Sequence, residues 1–153
     1  MELALKNLLN FLTIAPHLVP EVFSKPSLRN PIAVSLGAIA GALSRYYISL
    51  WLVRVFGADF PYATILVNLT GSFAMGLLST LVLEKGLSLI PEIRLLIAVG
   101  FLGSYTTFSS YELDTANLVS HSRLNSAFIY WLGSAAVGYF SLYLGIVFAR
   151  MLR

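Results

Sequence analysis

Apolar positions along this chain form four long runs, and polar positions collect mostly between them. A hydrocarbon core about 30 Å thick needs about 20 apolar residues to be crossed by a helix. Four segments meet that length, at about Pro31 to Val53, Tyr62 to Leu83, Ile93 to Val119 and Asn125 to Ala149. The first carries a single charge, Arg45, and the second none. Pro31, Pro61 and Pro91 stand where the first turn of a helix tolerates proline, because that turn's N–H has no helical partner anyway. The intervening stretches, 54–61, 84–92 and 120–124, are too short to fold by themselves. Short links between successive spans predict an up-and-down bundle. Trp51 and Tyr62 flank the first link, where amphipathic rings suit the headgroup level.

The first thirty residues follow another pattern. Residues 2–15 are apolar with sparse polar positions, and Pro16, Pro20 and Pro26 come after. The run is too short to span, and Glu2 and the lack of a small-residue cleavage site argue against a signal peptide. It reads as an interfacial helix and linker, with disorder as the alternative. The expected organisation is an extension over 1–30 and a four-helix membrane domain over 31–153.

Composition strengthens the membrane reading. Of 153 residues, 58% are hydrophobic and only 11% charged, and the mean hydropathy is +0.80. A soluble domain carries roughly 25% charged residues, so lipid is the expected solvent. The net charge of +3 is spread along the chain with no basic cluster, which excludes a nucleic-acid partner. Absence of Cys removes disulfides, thiolate metal sites and Cys nucleophiles. His17 and His121 lie far apart and read as interfacial or loop residues. Lys6, Lys25, Arg29, Lys85, Arg94, Arg150 and Arg153 fall on one side of such a bundle, Arg54 and Arg123 on the other. That bias places both termini in the cytoplasm.

Polar groups inside the spans need an explanation, because lipid cannot satisfy them. Span 1 holds Gly37-Ala-Ile-Ala-Gly41, a spacing that lets two backbones approach closely, and Arg45 lies one turn on, on the same face. Arg45 is open to a structural role or a functional one. In span 2, Thr64, Asn68, Gly71, Ser72 and Met75 share a face. Asn68 alone reads as interhelical glue. Span 3 is anomalous: seven of the eight residues from Ser104 to Tyr111 carry a hydroxyl. Its length, roughly 42 Å at 1.5 Å per residue, exceeds the core. Glycine with clustered Ser and Thr suits a break, where hydroxyls replace lost backbone partners. In span 4, Tyr130, Ser134, Gly138 and Ser141 form one stripe, which either completes a lined path or packs against span 3. Glu112 and Asp114 are expected near an interface, in water. Hydroxyls, an amide N–H and the positive edges of aromatic rings together suit a small anion.

Three strings, Gly41-Ala-Leu-Ser-Arg45-Tyr46, Val67-Asn68-Leu-Thr-Gly71-Ser-Phe-Ala-Met-Gly76 and Gly100-Phe-Leu-Gly103-Ser-Tyr-Thr-Thr-Phe108-Ser-Ser-Tyr111, resemble the Fluc (CrcB) fluoride channels over residues 31–150. The resemblance implies an all-α membrane protein of four transmembrane helices, with the third broken mid-membrane and two subunits paired as an antiparallel, dual-topology homodimer. It implies a passive fluoride channel of the plasma (inner) membrane, not an enzyme, that exports fluoride and lowers its toxicity. By this likeness Phe108 and Tyr111 form the aromatic pair of each pore. Asn68, Ser109 and Ser110 donate to the ion, with Tyr130 and Ser134 contributed from span 4. Arg45 sits at the vestibule, and a central sodium ion takes the backbone carbonyls of Gly103 and Thr106 from both subunits. The chain departs from the family pattern at Tyr111, usually Phe, and at Ser104 and Tyr105, usually Gly and a smaller apolar residue. Asp114 stands where Glu is common. The charge bias strains dual topology, which a paired homologue of fixed orientation would resolve.

Two other functions fit the sequence less well. A small multidrug-type proton-coupled exchanger also builds four-helix antiparallel dimers but needs a Glu in its first span, where this chain has no acid. A non-transporting assembly subunit leaves the stretch from Gly103 to Tyr111 unexplained.

Overall fold

In the computed structural model, which describes Lys6 and residues 25–152, four helical segments are long and apolar enough to cross a membrane. They are α1 (Pro26–Phe56), α2 (Tyr62–Leu83), a third segment spanning Pro91–Ser120, and α5 (Leu124–Met151). The third comprises α3, which runs through Pro91–Arg94, Leu95–Leu102 and Gly103–Tyr105, and α4 (Phe108–Ser120). The expected helix over residues 2–15 lies outside the described residues.

The second span begins and ends where hydropathy placed it. The first begins five residues earlier, because Pro26 rather than Pro31 occupies the opening turn and Pro31 lies inside the helix. Arg29, on that added turn, reaches Glu92 at 3.2 Å and ties the start of α1 to the start of α3. At the same end Arg150 pairs with Glu84 at 2.7 Å, joining α5 to the end of α2. Gly57 closes α1 with φ 79° and donates its N–H to the Val53 carbonyl, a left-handed backbone that side chains disfavour.

Glycines set the two tightest crossings. A Cβ on Gly37 or Gly41 would overlap the carbonyl oxygen of Leu96 or Phe101, so α1 meets α3 backbone to backbone, as the spacing on span 1 predicts. The α3 stretch that docks there, Leu95–Leu102, is wound as a π-helix, a form usually confined to single turns and often found at functional sites. A Cβ on Gly76 would overlap the Leu142 carbonyl oxygen, and one on Gly145 that of Phe73. Thus α2 is pressed onto α5 in the same manner. Such contact is the packing that joins helices in lipid, where burial of apolar surface supplies little.

Candidate functional site

The third segment is helical except at Thr106 and Thr107, midway along it, where the backbone is extended (φ −80°, ψ 160° and φ −151°, ψ 117°). Two extended residues strip the adjoining turns of their i→i−4 bonds, and side chains take up part of the loss. Asn68, from α2, lies against the break and bonds both sides of Thr107. Its Nδ2 donates to the Thr107 carbonyl at 3.0 Å, and its Oδ1 accepts the Thr107 N–H at 2.8 Å. That N–H is the group Gly103 C=O would accept in an unbroken helix. The Thr107 side chain caps α4: its Oγ1 accepts the Ser110 N–H at 3.1 Å and donates to Ser110 Oγ at 3.0 Å. Thr106 Oγ1 donates back to the Leu102 carbonyl at 3.0 Å. The Leu102 carbonyl also keeps the Thr106 N–H at 3.1 Å, so it is the Thr107 hydroxyl and the Asn68 amide that stand in for helical bonds, as clustered hydroxyls at a break can.

Neighbours hold the break from both sides. Gly71 makes room for it, since a Cβ there would overlap the Thr106 methyl group. Arg45, on the face of Gly41, brings Nη1 to 3.5 Å from the Thr106 carbonyl. Tyr105, the last helical residue of α3, is buried, stacks on Phe101 at 5.6 Å, and shares a 2.9 Å hydrogen bond with Thr70. A small cavity of about 300 Å³ opens beside the break between Asn68, Ser72, Met75, Gly103, Thr106 and Phe108.

Past the break, aromatic rings form a row. Phe108 is 74% exposed, whereas Tyr111 is buried and Tyr130 is 1% exposed. Ring centroids are 5.7 Å apart from Phe108 to Tyr111 and 5.4 Å from Tyr111 to Tyr130. The Tyr111 hydroxyl donates to the Trp131 carbonyl of α5. Its ring therefore lies beside Phe108 while its one donor is spent elsewhere. The sequence alone left open whether that hydroxyl faces an ion.

Of the residues singled out from the sequence, Asn68, Phe108, Ser110, Tyr111 and Tyr130 gather around the break and the ring row. Ser109 is exposed on the first turn of α4, and Ser134 is half-buried on α5 with no hydrogen bond among the described residues. Gly103 and Thr106 sit on the α3 side of the break, and Arg45 faces it. Asp114 departs from expectation. It is half-buried, and one carboxylate oxygen accepts hydroxyls from Thr64 at 2.6 Å and Tyr130 at 3.3 Å. Glu112, two residues earlier, is exposed as expected. Sequence reading placed Thr64 on the right face of α2 but found no partner for it; an acid two helical turns beyond the break was the only signal. The stripe on the last span divides: Tyr130 joins the ring row, while Ser141 donates to the Leu69 carbonyl of α2 at 2.8 Å.

Residues 32–146 match the family described as CrcB-like protein, Camphor Resistance (CrcB). Among curated proteins, the chain is 55% identical over 130 residues to the fluoride-specific ion channel FluC of Trichormus variabilis, covering 85% of this chain and 95% of that one. It is 54% identical over 128 residues to FluC of a Synechococcus strain (84% and 98% covered). FluC of a Synechocystis strain is 49% identical over 126 residues (82% and 96%).

Proposed function

The chain belongs to the CrcB family, and we propose that it is a fluoride-specific channel that lets the ion leave the cytoplasm by passive diffusion, lowering its toxicity. The observation that carries this reading is the Thr106–Thr107 break, clamped by Asn68 and followed at once by exposed Phe108 and buried Tyr111. One Asn68 N–H goes to Thr107, and the amide's second N–H has no partner among the described residues. The Ser109 hydroxyl, on the first turn of α4, is a second donor. Ring edges of Phe108 and Tyr111 carry partial positive charge. Such groups compensate a small, strongly hydrated anion without a fixed cation that would trap it. Tyr111 serves with its ring, since its hydroxyl is held by Trp131. Ser110 Oγ accepts the Thr107 hydroxyl, which leaves its own O–H to donate. Tyr130 and Ser134 extend the same lining from α5.

The break lies at mid-membrane in this reading, and a second copy, antiparallel to the first, completes each path across the face that exposes Phe108. The membrane is the inner, plasma membrane. A homodimer of dual topology is the family expectation. The positive bias at the end that holds Arg29, Lys85, Arg94 and Arg150 favours one orientation, which a paired homologue would balance. A sodium ion between the copies fits the donor chemistry: the Gly103 carbonyl has lost its helical N–H to Asn68, and unwound carbonyls at a half-helix end suit a monovalent cation. Gly103 and Thr106 would hold it, and its charge would steady the two breaks against one another. The exchanger alternative lacks support, for α1 carries no acid anywhere from Pro26 to Phe56.

The test is efflux from liposomes holding the purified protein. Fluoride is expected to leave rapidly while chloride stays. Folded protein that releases no fluoride would sink the proposal.

A further inference from the structure

A Ser or Thr hydroxyl inside a helix is ordinarily returned to a carbonyl one turn back, and several hydroxyls of this bundle follow that rule or find another partner. On α2, Thr64 donates to Asp114 at 2.6 Å, Thr70 to the Leu66 carbonyl at 2.7 Å and Ser79 to the Gly76 carbonyl at 3.1 Å. In the third segment, Thr106 donates to the Leu102 carbonyl and Thr115 to the Tyr111 carbonyl. Ser72 of α2 departs from the rule. It is half-buried, and its hydroxyl has no hydrogen bond among the described residues. It stands on the wall of the cavity of about 300 Å³ beside the break, together with Asn68, Met75, Gly103 and Phe108. None of the described residues that line this cavity is charged. Gly103 leaves room in it. The nearest group to a Cβ there, outside its own turn, would be the Ala98 carbonyl at 3.9 Å, an ordinary contact, so this glycine serves no crossing within the chain.

Asn68 and Ser72 are four residues apart on α2, so they are neighbours on one face, with about 5–6 Å between their Cβ atoms. Two hydrogen bonds to a shared acceptor, each about 2.8 Å long, cover much the same span. After Nδ2 donates to Thr107, the Asn68 amide keeps one N–H without a partner among the described residues. Ser72 adds an O–H. An anion between the two receives both donors and lies in the cavity that the exposed Phe108 ring helps to wall. We infer that Ser72 is a further ligand of the permeating ion, and that its hydroxyl and the second Asn68 N–H together receive fluoride in this cavity, one turn along α2 from the clamp on Thr107. The inference rests on the fluoride-channel reading. It extends the path along α2 and gives Ser72 a part in specificity. Attraction grows as the charges approach, and the smaller fluoride ion comes closer to the hydroxyl than chloride does.

Ser72→Ala removes the hydroxyl and leaves a strong helix former in its place. The purified variant would be assayed for fluoride efflux from liposomes and for thermal unfolding in detergent. Efflux is expected to slow about tenfold, equivalent to about 1.4 kcal/mol. Unfolding should match wild type, because the hydroxyl holds nothing within the chain. Ser72→Thr, which restores an O–H, is expected to return most of the efflux. Wild-type efflux from Ser72→Ala would overturn the inference. A lowered unfolding temperature would overturn it too, since the hydroxyl would then belong to the packing between copies. Ser72→Thr as slow as Ser72→Ala would show that volume rather than the donor sets the rate, with the same consequence. A hydroxyl oxygen can also hold a cation, so efflux would be compared in sodium and in N-methylglucamine. The ratio is expected to be the same for Ser72→Ala as for wild type; a ratio altered by the substitution would assign the hydroxyl to the cation and overturn the inference. A wild-type protein that releases no fluoride would end the channel reading and this inference with it, whereas an active wild type beside an unaffected Ser72→Ala would end the inference alone.

Discussion

The glycine crossings and the break in the third segment solve opposite problems. At Gly37, Gly41, Gly76 and Gly145 the backbone keeps its helical bonds, and side chains disappear so that two main chains touch. At Thr106 and Thr107 the helical bonds disappear, and side chains take their place: Asn68 takes up the Thr107 N–H and the Thr107 hydroxyl takes up the Ser110 N–H. The first arrangement leaves no polar atom to offer a solute. The second leaves donors and carbonyls in surplus, next to an exposed ring. Within one segment the two meet, since α3 docks on the α1 glycines with Leu95–Leu102 and then unwinds after Tyr105. Rigid seating on one side gives the open side a fixed geometry.

The sharpest way to break this contrast is to put a side chain in a crossing. Gly76→Val drives branched carbon into the Leu142 carbonyl and is expected to cost ~3 kcal/mol or more, at the top of the range for overpacking. Loss of monodisperse protein on size exclusion would register it. Gly133→Ala, with nothing within 4 Å of the added methyl, is the matched control and should behave as wild type. Equal behaviour of the two variants would show that the crossings are not packing-limited.

Next comes the clamp. Asn68→Ala leaves both the Thr107 N–H and its carbonyl without this partner, at ~1–3 kcal/mol for each buried group. Thermal unfolding in detergent should fall by several degrees, and fluoride efflux should be largely lost. Unchanged unfolding with normal efflux would mean that Asn68 neither shapes the break nor serves the ion.

These two sites also differ in how far they could be read from the sequence. Glycine at four-residue spacing, Gly37 and Gly41, marked a close crossing on α1, though not that α3 is the helix it meets. The hydroxyl-rich string likewise marked a break within the stretch from Gly100 to Tyr111, without singling out Thr106 and Thr107. Partners were not legible. Asn68 and Thr107 are distant in sequence and adjacent only through the seating of α2. Asp114 was expected in water because an acid near a helix end usually is; its contact with Thr64 and Tyr130 depends on how α4 turns after the break. The π-wound stretch gave no signal at all, since Leu95–Leu102 reads as plain apolar helix.

The smallest effect belongs to the exposed end of the bundle, away from both regions. Arg150's hydrogen bonds hold the Glu84 carboxylate below the usual carboxylate range. Its contribution is therefore present above that range and lost as pH falls through the lowered value. Exposed pairs contribute little, so Glu84→Gln should leave unfolding near wild type at neutral pH and remove only a slight acid-side dependence. A large drop at neutral pH would mean that this link, rather than the glycine crossings, holds α2 to α5.

Whether the break carries the ion is tested most directly by fluoride efflux from Phe108→Ile. Phe108 is 74% exposed, and its ring contact among the described residues is to Tyr111. The variant should elute as the wild-type assembly and lose fluoride efflux. Wild-type efflux from that variant would contradict the account, for the ion would then pass without the ring that follows the break.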